Sequence, residues 1–238
     1  MINNKSDKPF FDHLEELRQR VIKCFFSIFL FSILSYYFSN HIITFLINPV
    51  EDLKISFQVL KITSIFLIKI SLSLIFGILL SLPIILYQFL VFILPAFENK
   101  VTINKIFKYL FVNILFFVAG LIFGYYVLVP ISLKFFTSLS VSLNYINLNY
   151  TLENYLFYIV WLIIISSVIF QLPFILIIFN RIGIVSKDYL RRNRRSIILA
   201  FFIIGAFFTP PDPLSQIIVV IPLYLLFEIS IYFMKTKE

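Results

Sequence analysis

Apolar residues in this chain come in long continuous runs, not in the alternation that marks half-buried strands, and the runs set the elements. Val21–Phe38, Ile62–Leu94, Tyr109–Val129 and Tyr155–Phe179 are each close to or beyond the roughly 20 helical residues that cross about 30 Å of hydrocarbon. Four membrane spans follow. Gly77 and Pro83 interrupt the second run, which predicts tilt or a kink and a helical extension past the bilayer. Ile197–Phe208 is short for an ordinary span, and Thr209-Pro210-Pro211-Asp212-Pro213 must turn the chain before Leu214–Met234 begins. These last two runs predict either short spans that thin the bilayer or a re-entrant hairpin, and both return the C terminus to the side it left. The stretches 40–61 and 131–154 are too apolar for linkers and too interrupted to span, so short amphipathic pieces lying on the membrane are expected there.

Composition excludes a soluble reading. Of the 238 residues, 61% are apolar and 13% charged, more apolar side chain than a soluble domain of this size can hide. Lys and Arg outnumber Asp and Glu to give a net charge of +8, but the basic residues sit in clusters between apolar runs, which orients a membrane protein and does not indicate nucleic acid. With six passes, all but Lys54, Lys61, Lys69 and Lys134 of the 20 basic residues fall on one side, so both termini are expected on the cytoplasmic, matrix or stromal side. The cluster Arg191, Arg192, Arg194 and Arg195 reads as an anchor near anionic head groups. A single cysteine, Cys24, excludes an internal disulfide, and His13 and His41 as the only histidines give no metal-like cluster. No metal or other cofactor is expected. The first run lacks a small-residue cleavage site and reads as a retained span. No repeat or low-complexity linker divides the chain, so one membrane domain over 1–238 is expected, with 1–20 as an amphipathic N-terminal segment. Abundant Phe, Ile, Tyr, Asn and Lys match AT-rich coding and point to an organelle or a reduced bacterium.

Phe10, Leu14, Leu17 and Val21 share one helical face, while Asp12, Glu15 and Glu16 lie off it. Carboxylates grouped on the basic side suit a partner carrying guanidinium groups. Equally, Glu16 and Arg20, four apart with the acid first, brace their own helix. Spacing alone leaves both readings open. Glu228 lies in the middle of the last apolar run, where an ionisable group is costly; it is either a functional group or one held by a structural hydrogen bond. Pro49, with Pro210 and Pro211, restricts backbone torsions in the far-side connections, and Asp212 is placed either to cap the helix that follows or to bind a neighbouring donor.

The run Asp12-His13-Leu14-Glu15-Glu16-Leu17-Arg18-Gln19-Arg20 resembles the N-terminal signature of the TatC family, the six-span receptor subunit of the twin-arginine protein translocase. The likeness continues in Leu82-Pro83-Ile84-Ile85-Leu86-Tyr87-Gln88, in Phe123-Gly124-Tyr125-Tyr126 with Pro130, in Thr209-Pro210-Pro211-Asp212 with Ser215-Gln216, and in Ile221-Pro222-Leu223-Tyr224. It covers nearly the whole chain in order. The resemblance implies an all-helical, six-span, cup-like membrane protein that is no enzyme. It also implies binding to twin-arginine signal peptides of folded cargo, a homo-oligomeric receptor complex, and assembly with TatA- and TatB-type single-span subunits for transport driven by the proton-motive force.

By that resemblance Glu16 and Arg18 fall on the family's signal-binding positions. The family's second glutamate, late in the connection between spans two and three, falls by counting on Val101; Glu98 is the acid available there, as a substitute or simply as one acid among lysines on a solvated loop. Gln171 stands where many relatives have glutamate. With Thr209 and Gln216 it would form a polar patch that receives a partner helix, or it bonds only to a neighbouring helix backbone. Two rivals fit less well. A small-solute secondary transporter favours repeated halves, and an intramembrane enzyme needs converging nucleophiles or ligands. The final turn and the Ile221–Glu228 stretch look like the proteobacterial branch of the family, which with the AT-rich bias favours a mitochondrial inner membrane over a thylakoid or bacterial one.

Overall fold

The computed structural model describes residues 8–51, 57–97, 103–141, 150–208 and 213–234. These are almost wholly helical: α1 Lys8–Tyr37, α2 Ser39–Glu51, α3 Ser64–Phe97, α4 Ile103–Phe123, a π-helical turn Gly124–Leu128, α5 Val129–Val141, α6 Leu152–Ile169, α7 Leu172–Ile182, α8 Lys187–Arg192, α9 Arg194–Phe208 and α10 Pro213–Phe233. Two short strands, β1 Phe57–Gln58 and β2 Tyr150–Thr151, pair in parallel with Phe57 opposite Tyr150. Among the described residues, five stretches are long and apolar enough to cross a membrane: Leu14–Tyr37, Ser64–Phe92, Leu110–Ser138, Leu152–Arg181 and Gln216–Phe233. The 15 residues of α9 reach only about 22 Å at 1.5 Å per residue, so the fifth apolar run falls short of a full span by length.

The described residues fall into two compact units, one made of those up to Ile42 with Ile65–Leu110, the other of Ile43–Ser64 with those from Phe111 onward. In the first, α1 and α3 cross closely because Gly77 has no side chain; a Cβ there would lie 2.0 Å from Ser32 Oγ and 2.9 Å from Ser32 Cα. Outside that crossing α1 is nearly bare. Phe25, Phe26 and Phe29 are all more than 60% exposed, which suits lipid and not water.

The second unit holds most of the buried core. Gly120 and Gly124, one turn apart, let the end of α4 and the π turn approach α6 backbone to backbone; a Cβ at Gly120 would meet Ser167 Cα at 2.8 Å and one at Gly124 would meet Ile163 Cα at 3.0 Å. Ser166 Oγ then donates to Gly120 O at 2.7 Å across the same contact. The π turn follows from Pro130, which has no N–H and crowds the carbonyl four residues back. Instead of an α-helical bond, Val129 N–H reaches Gly124 O. The third apolar run therefore does not stop at Val129 but passes through this wide turn into α5.

Pro49 lies inside α2, not in a turn. It cannot donate to the carbonyl of Phe45, and that carbonyl instead accepts the Tyr125 hydroxyl at 2.7 Å while the Phe45 and Tyr125 rings stack at 4.1 Å. The next carbonyl, Leu46 O, accepts from Tyr155 Oη at 2.9 Å. Two tyrosines thus tie the end of α2 to its unit. Burial pushes the Tyr150 phenol in β2 above its ordinary value.

A cluster built on Phe201, Leu223 and Phe227 joins α7, α8, α9 and α10. The connection into it is tightly capped. Gly183 takes the left-handed conformation at φ 88° to end α7, and Ser186 accepts from Tyr189 N–H at 3.2 Å to start α8. Lys187 Nζ donates to Met234 O at 3.0 Å, a cation at the C-terminal end of α10.

Candidate functional site

The N-terminal acids sit on α1, whose helix begins before the apolar stripe expected from the sequence. Glu15 and Arg18 are exposed, while Glu16 is half-buried. Arg20 donates to Glu16 Oε1 through Nε at 3.1 Å and again through Nη2. Its remaining arm, Nη1, reaches Gln88 Oε1 on α3 at 3.3 Å. The one-helix brace is therefore present, and it extends across to a second helix through a glutamine that spacing arguments passed over. The Arg20 side chain is 17% exposed and that of Glu16 41%, so the guanidinium is the recessed partner and the acid the one nearer water.

Beneath this pair, between α1 and α3, lies an apolar cavity of about 330 Å³, lined by Leu17, Val21, Phe25, Ile85, Phe89 and Phe92 and reached by Arg20 and Gln88. Carboxylate, guanidinium and amide thus gather at an apolar surface. This arrangement can hold a cation in a directed, two-bond geometry, and the low-dielectric floor strengthens each of those bonds.

The other expected sites separate. Gln171 lies at the junction of α6 and α7, where Pro173 denies an N–H to the preceding turn and the chain bends. It is 3% exposed and its Nε2 donates to the backbone of Asn113 at 3.4 Å. Of the two readings open for Gln171, the donor follows the internal one. Asn113 itself is fully buried, an amide in the middle of an apolar run that the sequence pattern did not single out. Gln216 donates from Nε2 to Phe202 O at 2.7 Å, tying α10 to α9. Among the described residues no hydrogen bond joins Gln171 to Gln216. Glu98, Thr209, Pro210, Pro211 and Asp212 lie outside the described residues.

Glu228 does not stand alone in the last apolar run. Arg194 Nη2, at the first residue of α9, donates to Glu228 Oε2 at 2.9 Å. Five residues separate Glu228 from the end of α10, about 8 Å of helix, so the pair sits near one end of the span and not at its centre. One member of the basic cluster read as a head-group anchor is thereby assigned to an ion pair. Among the described residues no group of three or more His, Cys, Asp or Glu could hold a metal ion.

A sequence profile of the family described as Sec-independent protein translocase protein (TatC) matches residues 12–222. The Sec-independent protein translocase protein TatC of Carboxydothermus hydrogenoformans is 32% identical over 98% of this chain and 97% of its own. The uncharacterized tatC-like protein ymf16 of Reclinomonas americana is 38% identical over 95% of this chain and 87% of its own. Among solved structures, a crystal structure of the twin-arginine translocase receptor TatC in DDM superposes with a TM-score of 0.81 at 30% identity, covering 94% of this chain and 99% of that one. Family profile, full-length relatives and a common fold agree: the chain belongs to the TatC family of Sec-independent protein translocases.

Proposed function

We propose that this chain is the receptor subunit of a twin-arginine translocase and that Glu16 accepts a guanidinium group of the incoming signal peptide. One observation carries the reading: the Glu16 carboxylate already engages a guanidinium through two donors of the same fork, at the edge of an apolar surface. A carboxylate fixed in this way prefers the planar, delocalised fork of arginine to the compact ammonium of lysine. Exposed Arg18 lies on the same helix, and Glu98 contributes from its loop as the second acid. The peptide brings a cationic stretch followed by an apolar one, the order in which the acids and the cavity succeed each other along α1.

The single domain crosses the membrane six times, with the short α9 as the fifth pass and both termini on the basic side. The clustering of Lys and Arg supports that orientation. Thr209 and Gln216 serve docking of TatA- and TatB-type single-span subunits, joined by Gln171 through the Oε1 that its bond to Asn113 leaves open; Pro49, Pro210, Pro211, Asp212 and Glu228 hold the frame. More than one copy assembles in the receptor complex, no bond-making chemistry is involved, and the AT-biased composition supports a mitochondrial inner membrane.

The test is direct binding. Purified protein in lipid nanodiscs should bind a signal peptide with paired arginines about tenfold or more tightly than the same peptide with paired lysines, and Glu16→Gln should remove most of that binding. Equal affinity for the two peptides, or binding untouched by Glu16→Gln, overturns the proposal.

A further inference from the structure

The Glu16 carboxylate is not waiting empty for a ligand. Arg20 occupies it, and the same guanidinium holds Gln88 on α3 with its third nitrogen. We propose that Arg20 is a resident competitor for Glu16: signal-peptide binding exchanges one guanidinium for another, and Gln88 retains the displaced Arg20. The inference deepens the function proposed above and rests on it.

Three features favour exchange over simple addition. A second guanidinium placed beside the first would put two positive charges on a single carboxylate at a partly desolvated surface, where repulsion is weakly screened. Arg20 is recessed and Glu16 more exposed, so a ligand coming from water meets the acid first and the resident afterwards. The displaced side chain also has somewhere to go. Its Nη1 bond to Gln88 survives the exchange, and its aliphatic stem lies against the cavity between α1 and α3, so release strands no buried charge.

Competition has a definite signature. A resident that blocks the acid lowers the apparent affinity of every ligand by one common factor and leaves the ratio between ligands unchanged. Arg20 thus sets a threshold: a paired-arginine peptide clears it, and a paired-lysine peptide, intrinsically weaker, falls below useful occupancy.

Full-length protein in nanodiscs is titrated with a paired-arginine signal peptide and its paired-lysine counterpart. Arg20→Gln should tighten both by the same factor, about two- to sixfold for a partly exposed pair. Arg20→Lys, which keeps the charge but loses the fork, should tighten both by a smaller common factor. Gln88→Leu should weaken both peptides while Arg20 is present and leave both unchanged in the Arg20→Gln background. The proposal is overturned if Arg20→Gln weakens binding or leaves it unchanged, if it favours one peptide over the other, or if Arg20→Lys behaves as wild type, which would make the gain a matter of net charge alone. Gln88→Leu acting equally in both backgrounds removes Gln88 from the exchange. Failure of the underlying reading looks different: Glu16→Gln then leaves both peptides bound as before, whatever the Arg20 variants do.

Discussion

The two compact units use polar side chains for opposite ends. In the second, several polar groups are taken up by the frame: Ser166 by the Gly120 carbonyl, Tyr125 by the carbonyl that Pro49 leaves unpaired, and the Gln171 amide N–H by the Asn113 backbone. In the first, the polar cluster of Glu16, Arg20 and Gln88 lies at the rim of an apolar cavity on a helix whose outer face is largely uncovered. A buried polar group bonded to backbone has one partner it can have. An ion pair at a rim has a partner that can be replaced. Side chains bonded to backbone hold the frame, and the rim ion pair is the one proposed for recognition.

The sharpest way to break this contrast is at the glycine contact. Gly120→Leu drives a side chain into the Ser167 backbone, which cannot yield as a side-chain tip could, and should destabilise the protein by about 3 kcal/mol. Thermal unfolding in detergent, followed by loss of the monodisperse peak, reads that effect. Glu16→Gln should act in the reverse sense, costing signal-peptide affinity about tenfold or more while leaving the unfolding midpoint in place. A large shift of that midpoint would show that the first unit uses its acid structurally as well.

Tyr125→Phe isolates one hydroxyl. It leaves the Phe45 carbonyl without its donor and should cost about 1–2 kcal/mol. In a Pro49→Ala background the helix supplies its own N–H to that carbonyl, so the same substitution should cost distinctly less. A double-mutant cycle measures the difference, and strict additivity would refute the link between Pro49 and Tyr125. Smallest of all, Arg20→Gln should change unfolding by no more than about 1 kcal/mol, because a partly exposed ion pair contributes little to stability even where it reaches a second helix. A change in peptide affinity without a change in stability is what separates the rim cluster from the frame.

Much of this was legible from residues alone. Long apolar runs, a basic bias and ordered motifs identified a helical membrane protein and its family, because hydrocarbon tolerates few alternatives to helices and because family motifs survive as words in the chain. Glu16 was legible as a candidate, although its two readings, receptor acid and helix brace, could not be told apart by spacing. Other features had no one-dimensional signature. Gln88 is distant from Arg20 in sequence, and nothing in an apolar run marks Asn113 as fully buried or Glu228 as the partner of Arg194.

What the sequence determined by itself is where the long apolar helices run, that basic residues cluster between them and which family's motifs recur, all properties of composition and local spacing. Only tertiary structure decided that Pro49 sits within a helix and hands its carbonyl to Tyr125, and that the fifth apolar run is a helix of 15 residues. It also decided that Arg20 already fills the acid expected to receive a ligand. The reason is physical. A hydrogen bond has a direction and a distance, and which donor meets which acceptor is settled when helices pack, after the pattern along the chain has done no more than say that helices exist.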